Sequence, residues 1–500
     1  MASPNGGDHF APAHRTRRHG TSRPLGVADA GLKQGSSGDD KPRVPRPSRR
    51  AVVAAVVTAT ALFLTGVSIP RSATAGTATA QDQSRSQYWV ATFVERADLR
   101  AALDETNWVR RGRLAVRALR RAYRTADARP RVRRLLRGHD AAATPLWIAN
   151  AVLFRASKPI ADEVARIVGV SEVVGGRDLD LEAELTTATA RPVGTPTAAP
   201  ANLLAAHVPD ARVAGLTGAG VVIGIVDTGV DATHPDLATS YRAEGGWFDP
   251  SGRCPDDPCD GSGHGTAVAG VAVGERTGVA PGAHWIAARG CSDTRCTLAS
   301  LLESLQFMLA PDAGHGDGPD PDLRPDVINN SWSIPEPSTA LGRAMTSIYA
   351  AGILSVFAAG NTGPGCATVS YPASQPEVVA VGATDDAGIV ARFSARGPGP
   401  LGPEPTLVAP GVDVVTTAIS GGYASVSGTS MAAPEVSGTY ALTIQAAPSH
   451  QGSNALHRSL ITASGGRPES DCDTPGVPNS AYGYGLLDAV ASVQAAEALG

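Results

Sequence analysis

From residue 201 onward, apolar positions fall into short runs that alternate with longer stretches of helical spacing. Helical periodicity is found at residues 265–274, 298–310, 338–351 and 430–447. The apolar runs predict strands buried on both faces, at Val221–Val226, Trp285–Ala288, Val327–Ser331, Ile353–Ala358 and Val378–Val381. This alternation predicts an α/β fold for residues 201–500, a doubly wound and mostly parallel sheet. The carboxyl ends of its strands would meet at one edge, where such sheets bind ligands.

Residues 81–184 have a different pattern, which predicts a small separate unit. Aromatic and β-branched runs at Tyr88–Val94, Trp147–Phe154 and Val170–Val174 predict strands. Helical stretches at 98–137 and 158–168 lie between them. This order predicts an α+β unit with the split βαβ, ferredoxin-like topology. Residues 185–200, LTTATARPVGTPTAAP, offer no apolar core and predict a linker.

The N-terminal 80 residues are predicted to carry no part of a folded domain. Residues 1–50 are rich in Ser, Pro, Gly and Arg and are predicted to be disordered. Arg49 and Arg50 then precede an apolar run at residues 51–69, which small-residue Ala-Thr-Ala sites follow. This pattern predicts a signal peptide, and the twin arginine is typical of the Tat route. A membrane anchor is the alternative, but the run is marginal against the about 20 apolar residues of a span, so we expect no stable anchor.

Charge is divided unevenly along the chain, although the net charge is only −4. Residues 1–195 hold 31 Lys and Arg against 18 Asp and Glu, whereas residues 196–500 hold 12 against 29. A basic segment can bind nucleic acid, but here an acidic partner lies in the same chain. We therefore expect no nucleic-acid partner. We also expect the protein to be a monomer.

All six cysteines lie after residue 250. Cys254 and Cys259 are close enough for a local disulfide, as are Cys291 and Cys296, which leaves Cys366 and Cys472 as a long-range pair. An even number of cysteines suits an oxidising compartment, but the sequence does not determine their connectivity. Their spacing does not resemble a zinc site.

Three polar residues stand where the predicted sheet would carry chemistry. Asp227, in VDTG, ends the first buried run; His264, in GHGT, and Ser430, in GTSMA, each open a predicted helix. Taken singly, each has an ordinary structural explanation as a turn residue or a helix cap. The chain order Asp, His, Ser within one α/β domain is more specific, since it is the order of subtilisin and not that of chymotrypsin or the α/β-hydrolases.

Longer segments carry the resemblance to a family. Residues 205–495 resemble the catalytic domain of subtilisin-like serine peptidases, and INNSW and PLWIANAV resemble the bacillopeptidase F group. The matching segments, in chain order, are VVIGIVDTGVDATHPDL, GSGHGTAVAGVAVG, VINNSW, VFAAGNTGPG and GTSMAAPEVSG. The resemblance implies a serine endopeptidase that hydrolyses peptide bonds through an acyl-enzyme.

The resemblance also assigns roles to single residues. It implies that Ser430 is the nucleophile, that His264 is its general base, and that Asp227 orients the imidazole. Asn361 matches the asparagine that stabilises the oxyanion together with the backbone N–H of Ser430. No cofactor is required by this chemistry.

The same resemblance implies where a substrate binds. A peptide would add as an extended strand to Ser331, Trp332 and Ser333, and the loop bounded by Cys291 and Cys296 would form the opposite rim. Ser370 stands where the family usually has a glycine at the bottom of the primary pocket. Ser333 and Ile334 replace a pair of glycines on its wall. Thr362 follows Asn361 at the rim, so no acidic side chain is evident there. We expect a smaller pocket that prefers modest apolar side chains.

Two further departures from the family pattern concern charge. Glu435 stands where the family usually has a histidine, in the helix after the nucleophile. We expect this difference to affect helix packing or surface chemistry and not the mechanism. Residues 275–279 lack the inserted loop of a high-affinity calcium site, so that site is expected to be absent and no metal site is assigned. Acidic residues at 256, 257 and 260, or at 317, 320 and 322, could hold calcium elsewhere, but solvated loops are the preferred interpretation.

Residues 81–184 resemble the prodomain of the family, which implies a folding template and intramolecular inhibitor. Its basic character would complement the acidic catalytic part; a basic accessory domain is the alternative. Together these features predict a secreted, self-processing precursor, with cleavage within residues 185–200 and protein or peptide substrates.

Three other functions are alternatives for this sequence. An esterase of the α/β-hydrolase type needs an acid and then a histidine after the nucleophile, and Glu435 is the only acid between Ser430 and His457, too near the serine in sequence. An aspartic protease needs a second Asp-Thr-Gly or Asp-Ser-Gly, which this sequence does not contain. An inactive peptide-binding scaffold stays a hypothesis that an active-serine probe can test.

Overall fold

A computed structural model describes residues 86–175, 178–180, 190–312, 318–398, 405–462, 472 and 476–499. The predicted disordered region and signal peptide, residues 1–80, lie outside the described residues, as does the first part of the predicted linker. Within the described ranges, no helix is both long and apolar enough to cross a membrane.

Residues 86–175 form a compact α+β unit, named here the N-terminal unit. Its antiparallel sheet has the strand order β2-β3-β1-β4, with Trp89 opposite Phe154. The strands are β1 (Gln87–Phe93), β2 (Ala143–Leu146), β3 (Ala151–Ala156) and β4 (Val170–Gly175), and the helices are α1 (Arg100–Leu103), α2 (Trp108–Thr125), α3 (Arg129–Gly138) and α4 (Lys158–Ala165).

Two expectations for the N-terminal unit were wrong in detail. The stretch at 98–137 is divided into three helices, because the side chain of Asn107 caps the start of α2 and Pro130 lies in the first turn of α3. The predicted strand at 147–154 begins as the 3₁₀ turn Trp147–Ala149, and Asn150 then adopts a left-handed conformation (φ 49°) before β3. Strand β2 was not predicted.

The predicted parallel sheet is confirmed in the C-terminal part. After the short strands β5 (Asp178–Asp180) and β6 (Arg191–Val193), seven strands form the sheet. They are β7 (Val222–Asp227), β8 (Trp247–Phe248), β9 (His284–Arg289), β11 (Val327–Asn330), β12 (Leu354–Ala358), β13 (Val378–Thr384) and β14 (Leu407–Pro410). Their spatial order is β14-β13-β12-β11-β7-β9-β8, and each neighbouring pair is parallel. The carboxyl ends of β7 and β11 therefore lie side by side.

Helices cover both faces of this sheet. They are α5 (Ala201–Ala205), α6 (Val208–Arg212), α7 (His264–Val273), α8 (Leu298–Leu309), α9 (Thr339–Ala350), α10 (Thr429–Ala446), α11 (Asn454–Ile461) and α12 (Ala489–Glu497). Further 3₁₀ turns are Ala238–Ser240, Pro321–Leu323 and Pro448–His450. The four predicted helices agree with α7, α8, α9 and α10 to within one residue at each end.

Two apolar clusters hold the layers together. One lies on the face covered by α7 and α10. The other lies under α8 and α9 and continues into the apolar core of the N-terminal unit. Since burying apolar surface is the dominant favourable term in folding, the N-terminal unit and this face of the sheet stabilise each other.

Small sheets and disulfides complete the described structure. The strands β15 (Val414–Ala418) and β16 (Gly422–Val426) pair with each other, and β16 also pairs with β6, so part of the predicted linker is a strand. β5 pairs antiparallel with β10 (Arg295–Thr297). The connectivity that the sequence left open is Cys254–Cys259, Cys291–Cys296 and Cys366–Cys472.

Candidate active site

Asp227 and His264 are in direct contact at the carboxyl edge of the sheet. Asp227 is the last residue of β7, and His264 is the first residue of α7. The two side chains are joined between His264 Nδ1 and Asp227 Oδ1 at 2.7 Å, and both are nearly buried. Asp227 Oδ1 also accepts the backbone N–H of Thr228 at 2.7 Å. A carboxylate in this position fixes the imidazole tautomer, in which Nε2 is the nitrogen suited to proton transfer.

Asp260 positions His264, a role that the sequence interpretation missed. Its Oδ1 accepts the backbone N–H of Gly263 at 2.9 Å, and its Oδ2 accepts that of Thr266 at 2.9 Å. Thr228 donates its hydroxyl to Asp260 Oδ1 at 3.0 Å and accepts the N–H of Gly265 at 3.0 Å. Asp260 is therefore a cap of α7 and not a residue of a solvated acidic loop. The signal in the sequence was an Asp just before a helix start, where carboxylates favourably meet free N–H groups.

Helices α7 and α10 pack closely against each other. At Gly438 of α10, a Cβ would lie only 2.5 Å from the Cβ of Val279 and 3.1 Å from the carbonyl of Ala272. A larger residue there would push the two helices apart. The close approach of these helices depends on this glycine.

Ser430 is the second residue of α10, where backbone N–H groups have no partner within the helix. Its side chain is buried, and its Oγ donates to the carbonyl of Ser331 at 3.4 Å. The Ser331 hydroxyl in turn donates to the carbonyl of Ser430 at 2.8 Å. These reciprocal contacts hold the start of α10 against the end of β11.

Asn361 presents a free donor beside Ser430. Its Oδ1 accepts both the N–H and the hydroxyl of Thr429, at 2.9 and 3.0 Å. This arrangement fixes the amide orientation, and the buried Nδ2 has no hydrogen-bond partner among the residues that the structure describes. Because buried donors are rarely left unpaired, an unpaired Nδ2 next to a helix start is the arrangement that a developing oxyanion requires.

The predicted substrate residues lie at the same edge, but they differ in exposure. Trp332 is fully buried, with its ring 5.1 Å from that of Phe357. Ser333 is half-buried and follows it directly. Ser370 is also half-buried, and its hydroxyl donates to the carbonyl of Ala359 at 3.0 Å.

The opposite rim already pairs with a strand of the chain itself. Cys296 in β10 is opposite Leu179 in β5, and the Cys291–Cys296 disulfide closes the loop beside them. β10 can therefore accept an antiparallel extended segment through backbone hydrogen bonds.

Two charged side chains correct or extend the sequence interpretation. Glu435 is fully buried in α10, where Asn202 Nδ2 donates to its Oε1 at 2.6 Å. Of the two interpretations offered by the sequence, helix packing agrees with this position and surface chemistry is wrong. Burial raises the pKa of Glu435 to about 8. The Arg276 guanidinium pairs with the buried carboxylate of Asp236, which also accepts the Tyr423 hydroxyl at 2.9 Å. Among the described residues, no group of His, Cys, Asp and Glu side chains could hold a metal ion.

Comparison with known proteins gives one family. The profile of the subtilase family matches residues 218–485. Bacillopeptidase F of Bacillus subtilis (strain 168) is 37% identical over 314 residues, which cover 57% of this chain and 21% of that protein. Subtilisin BL of Lederbergia lenta is 36% identical over 294 residues, 58% of this chain and 96% of that protein. Subtilisin DY of Bacillus licheniformis is 36% identical over 288 residues, 56% of this chain and 93% of that protein.

Proposed function

The chain belongs to the subtilase family of serine peptidases, and from this premise we propose that it is a secreted endopeptidase made as a self-processing precursor. Ser430, His264 and Asp227 carry the reaction. The observation that supports this most directly is the contact between His264 Nδ1 and Asp227 Oδ1 at 2.7 Å, at the edge of the sheet where α10 and Ser430 begin.

In the proposed reaction, the hydroxyl of Ser430 attacks the carbonyl carbon of the scissile peptide bond. His264 takes the proton of the hydroxyl and later gives it to the leaving amine, and Asp227 stabilises the imidazolium. The tetrahedral intermediate places its oxyanion between the backbone N–H of Ser430 and Asn361 Nδ2. Water then attacks the carbonyl carbon of the acyl-enzyme, and His264 takes a proton from the water. The ester bond to Ser430 breaks, His264 returns the proton to the Ser430 oxygen, and the new carboxyl terminus is released.

The substrate binds as an extended strand between β10 and the segment of Ser331, Trp332 and Ser333. The pairing of β5 with β10 supports this arrangement, because β5 already uses that edge as a peptide would. Ser370 and Ile334 narrow the primary pocket, which favours modest apolar side chains. This chain matches only 21% of the length of bacillopeptidase F. The proposed substrate preference therefore depends on the residues of this chain and not on those of that relative.

The N-terminal unit and β5 act as the prodomain, an inhibitor with ferredoxin-like topology whose tail lies on the substrate rim. In support, its apolar core is continuous with that under α8 and α9. β5 lies on the rim, whereas β6 belongs to a sheet of the catalytic part. We therefore propose a cut within residues 181–190, which begins and ends earlier than the window of 185–200 expected from the sequence.

Export is the remaining part of the proposal. Three disulfides suit an oxidising compartment. The apolar run at residues 51–69, preceded by Arg49 and Arg50, would act as the signal, by the Tat route.

The test compares the expressed chain with its Ser430→Ala variant by intact mass and N-terminal sequencing. We expect the native chain to be cut within residues 181–190 and the Ser430→Ala variant to stay intact. Ser459→Ala, at an exposed serine of α11, is the matched control that is still cut. An active-serine probe should label the native protein alone. If both chains stay intact and the native chain ignores the probe, the protein is a scaffold and the proposal fails.

A further inference from the structure

Arg111 of the N-terminal unit inserts its side chain into the rest of the protein. Its guanidinium donates to three backbone carbonyls outside the unit: Nε to Ala350 at 2.9 Å, Nη1 to Gly452 at 2.8 Å and Nη2 to Tyr349 at 3.0 Å. The side chain is buried, with 9% of the residue exposed. All three nitrogens of the guanidinium are therefore paired, each with a different carbonyl.

The receiving pocket is made by the end of α9 and the turn before α11. Tyr349 and Ala350 are the last residues of α9, where carbonyls lack partners within the helix and the helix dipole is negative. The pocket also needs a glycine at 352, which has φ +87° and whose added Cβ would lie 3.2 Å from Arg111 Cδ and Nε. The shape of the pocket thus fits a guanidinium.

A second contact closes the pocket from the side. The guanidinium of Arg324 lies 3.6 Å from the ring centroid of Trp108 and donates to the Trp108 carbonyl. A Cβ at Gly112 would lie 2.3 Å from Arg324 Cζ, so a side chain there would displace the Arg324 guanidinium from this position. Trp108, Arg111 and Gly112 share one face of α2, as residues three and four apart do.

Recognition at this pocket depends on geometry more than on charge. Within the described part of the chain, Arg111 forms no ion pair with a carboxylate, and the neighbouring cation Arg324 repels it. Burial lowers the pKa of Arg111, so the three carbonyls must compensate for lost hydration. The planar guanidinium of arginine holds several N–H donors in fixed directions and can bond three carbonyls at once. The ammonium of lysine is a compact point charge at the end of a flexible four-carbon side chain and does not reproduce this geometry.

We propose that the carbonyls of Tyr349, Ala350 and Gly452 form a guanidinium-binding site, and that its occupation by Arg111 sets how fast the N-terminal unit leaves the enzyme. This rests on the proposed function, in which the unit is a prodomain that is cut away. After release, the empty site on the enzyme binds small guanidinium ions.

The test uses the full chain with Ser430→Ala and a recognition sequence for an external protease placed within residues 181–190. The enzyme is immobilised, the chain is nicked, and the rate at which the N-terminal unit dissociates is measured. We expect Arg111→Ala and Arg111→Lys each to dissociate roughly ten- to a hundredfold faster, the range of a lost hydrogen bond to a charged group. Arg110→Ala is the matched control, since the exposed Arg110 pairs with Glu105 inside the same unit, and it should dissociate at the parent rate.

Methylguanidinium provides a second measurement that a general loss of folding would not reproduce. At millimolar concentration it should slow dissociation of the Arg111→Ala variant by filling the vacated site, whereas methylammonium at the same ionic strength should not. The proposal is overturned if Arg111→Lys dissociates at the parent rate, if Arg111→Ala matches Arg110→Ala, or if methylammonium rescues equally well. If the native chain with Ser430 never cuts itself, the proposed function fails, and the nicked chain still decides this inference.

Discussion

Glu435 lies in the same helix as Ser430 with its side chain fully buried, and we expect its replacement by glutamine to stabilise the folded protein above neutral pH. Its Oε1 accepts from Asn202 Nδ2 at 2.6 Å. Within the described ranges of the chain, its Oε2 and the Oδ1 of Asn202 are both buried without a hydrogen-bond partner. A protonated Oε2 could donate to that Oδ1, so that acid and amide would form a closed pair. A glutamine can form the same pair at every pH.

The magnitude follows from the pKa of the carboxyl group. Burial, with a small addition from Asp386, raises the pKa of Glu435 from 4.5 to about 8, while the contact with Asn202 and the charge of Arg212 oppose the shift. The folded state therefore holds a proton that the unfolded state loses above pH 4.5, and stability falls as pH rises from 4.5 to about 8. The full difference between these two pKa values corresponds to about 5 kcal/mol of unfolding free energy, an upper bound to order of magnitude.

The assay is urea unfolding across this pH range, in the Ser430→Ala background to prevent autolysis. Near pH 4.5, Glu435 and its glutamine variant should have similar unfolding free energies, and the variant should become progressively more stable toward pH 8. Glu497→Gln, at the exposed end of α12, is the matched control and should follow the parent curve. Parallel curves for the parent and the Glu435 variant would show that Glu435 is ionised when folded, and would refute the argument.

Three other changes test the site and its surroundings. Asn361→Ala removes the Nδ2 donor, and we expect kcat to fall roughly 100- to 1,000-fold with little change in KM, the size recorded for this donor in subtilisin itself. Ser459→Ala, at an exposed position of α11, is the control. An unchanged kcat in the Asn361 variant contradicts the assignment. Ser370→Gly should widen the primary pocket, so the ratio of kcat/KM for a peptide with phenylalanine there to kcat/KM for one with alanine should rise roughly tenfold. An unchanged ratio across a peptide series would show that Ser370 does not line the pocket. Arg276→Gln leaves the buried carboxylate of Asp236 without its cation, so the melting temperature should fall, whereas EDTA should leave that of the parent unchanged; a decrease with EDTA would indicate a bound metal.

Much of the fold could be predicted because its signals are local. Helices α7 to α10 were predicted to within a residue, since helical periodicity and the residues at helix starts reside in a few consecutive positions. The five buried runs became strands of one parallel sheet for the same reason. Strands β2, β5, β6, β8, β10 and β14 to β16 were not predicted, because short strands carry weak patterns and are stabilised by pairing with distant segments.

The identities of the candidate site residues were likewise readable from short motifs, and the contact between Asp227 and His264 agrees with the roles predicted for them. Their catalytic roles stay predictions that kinetics must test. Asp260 shows the limit of motifs: the sequence offers an acid near a histidine, and only the folded loop makes it the cap that positions His264.

The sequence by itself therefore determined the class of fold, the family and the residues that could perform the chemistry. The tertiary structure decided the protonation of Glu435, the pairing of Arg276 with Asp236 and the pocket for Arg111. The physical reason is that hydration and hydrogen-bond partners decide the state of a polar group. Those partners are distant in sequence: Arg111 and Gly452 lie 341 positions apart, and Asn202 and Glu435 lie 233 apart.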